Sequence, residues 1–217
     1  MCFSATGSFT ISAFLTGVGA ASLAKNHTRS AGMLAAIPLL FAAQQGGEGV
    51  VWLTIGPEPG PVHVACVYVF LTFALVVWPT WFPLSVLRLE PDPRRRERIR
   101  PIAVVGAATS AFGAALLVAW PAHARIAAHS IHYAYGPAGG AWLDGAYLLL
   151  YVIPTVVPFL VATPRLVPTT GAVLGVALIT TLVVKIQALT SVWCFFAAGI
   201  SVLIVLALPR TDAPLRR

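Results

Sequence analysis

The chain has 217 residues, 58% of them hydrophobic and only 10% charged, and its mean hydropathy is +0.85. A soluble domain carries roughly 25% charged residues, so a chain of this size could not hide so much apolar surface from water. The expected solvent is the bilayer. At roughly 20 residues per span, seven helices take about 140 residues and leave no room for a soluble domain.

The expected fold is therefore a single seven-helix transmembrane domain over residues 1–217, an all-α integral membrane protein. The apolar segments run Ser8–Ala24, Ala31–Ile55, Val62–Leu87, Ile102–Trp120, Trp142–Val161, Val167–Val184 and Leu189–Leu208. Lys25 to Arg29 and the Gly/Pro-rich Gly56 to Pro61 separate the first three. Glu90 to Pro101 is a charged stretch, and Pro121 to Gly140 is a long loop rich in His, Tyr and Gly. Thr163 to Arg165 and Ile186 to Ala188 make the last two turns. Pro154 and Pro158 interrupt the fifth segment, which lipid tolerates only where neighbours satisfy the freed carbonyls. No internal repeat supports an inverted-repeat transporter.

Met1 to Ser8 contains no Lys or Arg, so a cleavable signal is not expected and the first segment should stay as a helix. The net charge of +7 does not imply nucleic acid, because the basic residues lie in short loops and not on a soluble face. Their distribution sets orientation instead. Lys25, Arg29, Arg88, Arg94, Arg95, Arg96, Arg98, Arg100, Arg165, Arg210, Arg216 and Arg217 fall on one side, and only Arg125 and Lys185 on the other. The positive-inside rule then puts the N-terminus outside and the C-terminus in the cytoplasm. The run containing Arg94, Arg95 and Arg96 suits anionic lipid headgroups, and Trp78 and Trp81 suit an interfacial belt.

With this orientation the unusual polar residues collect in the outer half. Gln44, Glu48 and Trp52 recur at i, i+4 and i+8 on one helix face, with Gln45 on its flank. Glu48 lies about 10 Å below the outer end, where an ionised carboxylate must pair, protonate or meet water. Gly46, Gly47 and Gly49 allow close approach of a helix or ligand. The alternative is an interhelical hydrogen-bond knot that only fixes packing. Lys185 has comparable depth, either as counter-ion of Glu48 or with its ammonium lifted to the headgroups.

His132 and Tyr133 of the long loop, with Ser191, Trp193 and Cys194 of the last segment, complete the candidate binding set. His129 and His132 share a face if the loop is helical, and with Glu48, Asp144, Cys66 or Cys194 they are candidate metal ligands. An interfacial segment of His and Tyr is the preferred reading of the same residues. Cys194 reads first as a small hydrophobe, with a nucleophile, a ligand or half of a disulfide with Cys66 as the alternatives. Cys2 would become an N-terminal thiol if Met1 is removed.

Met1-Cys2-Phe3-Ser4-Ala5, Pro38 to Ala42 followed by Gln44-Gln45 and Glu48-Gly49, Trp78-Pro79 with Trp81, and Ser191 to Ala198 together resemble an uncharacterised bacterial multi-pass membrane family. That resemblance implies a small integral membrane protein, and the expected location is the bacterial cytoplasmic membrane. It supplies no activity and no cofactor. Lys185 is not among its motifs. Two functional readings follow: an outward-facing polar pocket around Glu48 that binds, senses or transports a small solute or protons, or a membrane-embedded enzyme using a metal or cysteine at the same pocket.

Overall fold

A computed structural model describes residues 4–26, 28–127, 129–137, 141–164, 166–185 and 189–208. At helix positions 141–144, 146, 184–185, 189–192, 194–195, 197, 200 and 207 it describes the backbone alone. Among the described residues helix dominates. The long helices are α1 (Ala5–Lys25), α2 (Ile37–Thr54), α3 (Pro61–Leu89), α4 (Pro93–Ala119), α5 (Ala141–Val161), α6 (Val167–Lys185) and α7 (Leu189–Ala207). A short turn, Gly32–Ala35, leads into α2, and Phe73–Val77 forms a π-helical turn inside α3. Between α4 and α5 lie two strands, β1 (His123–Ala127) and β2 (Ser130–Ala134).

Each long helix packs on the next in chain order, and α7 returns to α1 and α2, so the helices close a circuit. Three of them, α1, α3 and α4, are long and apolar enough to cross a membrane. Bare apolar residues face outward: on α4 Val118 is 89% exposed and Val104 70%, and on α6 Val183 is 79% exposed.

Two boundaries differ from the sequence expectation. Most of the charged stretch, expected as a connection, belongs to α4: Asp92 caps the helix by accepting from the Arg94 N–H (3.0 Å), and Pro93 occupies its first turn. The described part of the long loop holds a β-hairpin, not a helix. His123 faces Ala134 and Arg125 faces His132 across an antiparallel register, and His129 turns the chain at φ 62°. Alternating β2 residues Ile131 and Tyr133 are buried, with the Tyr133 ring stacked on Phe70 of α3 at 4.5 Å. The hairpin therefore bridges α3, which β1 touches, and α7, which β2 touches, across one end of the bundle.

Proline shapes the interior. Pro79 has no N–H for the Leu75 carbonyl, and the Tyr147 hydroxyl of α5 donates to that oxygen instead (3.0 Å). Pro83 frees the Pro79 carbonyl in the same way, and Gly106 of α4 packs directly against it, where a Cβ would collide. One helical turn on, Ser110 donates to the Val76 carbonyl (2.6 Å), which leaves Thr80 as donor in its 2.7 Å contact with Ser110. Pro154 frees the Leu150 carbonyl, and the Thr109 hydroxyl lies 3.1 Å from it. Small and hydroxyl-bearing residues of α4 thus serve carbonyls on both neighbouring helices.

At the end opposite the hairpin, buried Glu90 accepts from the N–H groups of Thr163 (2.6 Å) and Asp92 (3.0 Å). Arg95 donates to the Val161 carbonyl at 2.9 Å and caps the end of α5. Arg94 and Arg96 point outward, exposed.

Candidate functional site

Helix α2 is divided into faces by what touches it. Toward α1, the Ser12 hydroxyl donates to the Ala42 carbonyl (2.7 Å), and a Cβ at Gly49 would lie 2.8 Å from the Phe9 ring. Toward α3, Gly47 meets Val69 at 3.6 Å. At 3.6 residues per turn, Gln44, Glu48, Trp52 and Gln45 share an arc of about 100° between those two faces. That arc is turned to the bundle interior and to α7, which packs against both α1 and α2.

Gln44, Gln45 and Glu48 are all fully buried, and Trp52 is half-buried. Gln44 has a fixed partner: the Trp78 indole N–H donates to its Oε1 at 2.8 Å. Trp78 is itself buried, stacked at 4.0 Å on Phe41 and at 5.0 Å on Phe82. This corrects its expected place in an interfacial belt. An indole inside a core needs an acceptor for its N–H, and an uncharged carboxamide on the neighbouring helix supplies one. Trp81 also turns inward, donating to the Met33 carbonyl at 2.9 Å. The amide nitrogen of Gln44, both amide atoms of Gln45 and the indole N–H of Trp52 have no hydrogen-bond partner among the described residues. The same is true of the buried Ser8 hydroxyl on α1. Since Phe9 meets Gly49 and Ser12 meets Ala42, antiparallel packing puts Ser8 level with Glu48 to Trp52.

The remaining expected residues fall in three groups. Tyr133 is buried on β2 and His132 half-buried beside it, so the hairpin brings both over the end of the bundle toward which α2 rises. Burial lowers the His132 pKa below its usual range, and the Arg125 guanidinium across the strand pair lowers it further. Trp193 is buried on α7, edge-on to Tyr151 at 5.1 Å. The side chains of Lys185, Ser191, Cys194 and Asp144, and all of Cys2, lie outside the described residues.

His129 sits at the hairpin turn and His132 inside β2, so the shared helical face expected of them does not exist. Among the described residues no three His, Cys, Asp or Glu side chains converge as a metal site would require. Cys66 is a free thiol. His63, near the start of α3, has its Nδ1 3.1 Å from the Thr54 hydroxyl and is thereby tied to the end of α2.

The class defined by these features is a helical protein with apolar outer faces and a buried polar stripe on one interior helix. The chain belongs to the "Family of unknown function (DUF6629)", whose model matches residues 1–217. No curated protein and no solved structure matches it.

Proposed function

We propose that this is a seven-span protein of the bacterial cytoplasmic membrane that binds a small polar solute between α2 and α7, reached from the hairpin end. The N-terminus and the hairpin lie outside and the C-terminus in the cytoplasm. The exposed Val104, Val118, Val176 and Val183 then face acyl chains, where water would penalise them. Arg94 and Arg96 meet anionic headgroups on the inner side.

One observation carries the binding reading: the fully buried Gln45 carboxamide, with neither its oxygen nor its nitrogen bonded among the described residues. Leaving such a group dry costs about 1–3 kcal/mol. A structural knot would satisfy it internally. A site that receives a solute, or exchanges it for water, satisfies it from outside the chain. Buried carboxamides next to an intramembrane carboxylate suit a neutral or cationic solute over an anion.

The test is access. Gln45→Cys, with Cys2, Cys66 and Cys194 replaced by alanine, should react in intact cells with a small membrane-impermeant thiosulfonate reagent. The reading fails if Gln45→Cys stays unlabelled while an engineered cysteine at exposed Ile126 of β1 is modified.

A further inference from the structure

The bond between Trp78 and Gln44 fixes more than packing. A carboxamide offers an acceptor on one side and two donors on the other, and on its own it can flip to present either. The indole N–H can only donate, so it holds the Gln44 oxygen on the α3 side at 2.8 Å. The stacking on Phe41 and Phe82 keeps the indole from moving away. Gln44 therefore presents its NH₂ group, which has no partner among the described residues. Two turns along the same arc, Trp52 again offers only an N–H. Gln45, free to flip, adapts to either polarity.

We infer that this site selects solutes carrying an uncharged acceptor oxygen, such as an amide or sulfoxide oxygen, that enters oxygen first toward Gln44. Hydrogen-bond donors on the solute are met further along the stripe, at the level of Gln45 and Glu48. A purely donating cation finds no acceptor at Gln44. The inference rests on the proposed binding site, since it assigns the polarity of that site's inner end.

The same Gln45→Cys reporter tests it, because it keeps Gln44 and Trp78. Labelling is followed in the presence of acetamide (donor and acceptor), dimethyl sulfoxide (acceptor only) or methylammonium (donor only). Acetamide and dimethyl sulfoxide should slow labelling more than methylammonium does, because only they supply the acceptor that Gln44 requires. One hydrogen bond of ordinary net strength changes affinity about two- to tenfold, which sets the expected separation between the curves. Adding Trp78→Phe releases Gln44 to flip, and the preference for acceptors over methylammonium should shrink or vanish.

Protection by methylammonium equal to or greater than that by dimethyl sulfoxide in the unmodified Trp78 background overturns the polarity assignment. So does labelling that none of the three probes slows, with access itself still standing. Absence of labelling altogether rejects the site and not its polarity. The comparison among probes in the Trp78 background needs no further substitution, so poor folding of Trp78→Phe would not rescue a negative result.

Discussion

Gly106→Ala tests the proline-directed packing of α3 against α4. The added methyl would occupy the place of the Pro79 carbonyl oxygen, and it would also lie 3.1 Å from the Pro154 Cβ. Neither neighbour is a flexible side-chain tip. Pro79 and Pro83 stiffen the backbone of α3, so relief requires the helices to separate. Separation stretches the 2.6 Å bond from Ser110 to the Val76 carbonyl and the 2.7 Å contact with Thr80. Overpacking of this kind costs about 1–3 kcal/mol, and loss of one such hydrogen bond about 1 kcal/mol more. Alanine returns up to about 1 kcal/mol through helix propensity. The net expectation is destabilisation by about 1–3 kcal/mol. Gly17→Ala is the matched control, since nothing lies within 4 Å of its added Cβ. It should be neutral or stabilising by up to about 1 kcal/mol. Both are read as unfolding midpoints of purified protein in one detergent. Equal midpoints for the two variants would refute the close approach at Pro79.

Three further outcomes follow from other parts of the fold. Glu90→Ala leaves the Thr163 and Asp92 N–H groups without their acceptor, and should lower stability by about 1–3 kcal/mol in the same assay; a smaller loss than for Gly17→Ala would contradict the role given to Glu90. His132 has a lowered pKa in the folded chain, so the unfolded chain binds the extra proton first. Hairpin stability should therefore fall as pH drops below about 6.5, read by hydrogen exchange of the strand amides, and His132→Gln should flatten that dependence. An unchanged profile in His132→Gln would contradict the assignment of this dependence to the His132 imidazole. A cysteine at Arg96 should resist impermeant labelling in intact cells, and modification there would reverse the proposed orientation.

Much of the helical layout was legible because the apolar runs end at Gly, Pro and charge clusters, as at Gly56 to Pro61. The buried stripe was legible too, because Gln44, Glu48 and Trp52 stand at helical spacing in an otherwise apolar segment. The hairpin was not. Its strands are short, and His129 turns them without the Asn-Gly or Asp-Gly pair that marks a tight turn. The start of α4 was hidden for a different reason: its first turns are charged, so an apolar-run criterion begins the helix too late, although Asp92-Pro93 carries a capping signal. Trp78 was misplaced because an indole near the end of an apolar run fits a membrane interface equally well. Only the fold brings Gln44, 34 residues away in sequence, to its N–H. The hydroxyl partners Tyr147, Ser110 and Thr109 were invisible for the same reason: the prolines announce freed carbonyls, not the residues that reach them.

The central claim is that the α2 stripe is a site for a solute and not a sealed packing contact. The most direct measurement is an experimental density map of the protein in a lipid nanodisc, at a resolution that separates ordered water from side chains. The account predicts density that belongs to no protein atom within hydrogen-bonding distance of the Gln45 carboxamide and the Gln44 amide nitrogen, on the side turned toward α7. A dry interface, with both carboxamides fully bonded to protein groups and α7 packed flush against α2, would contradict it.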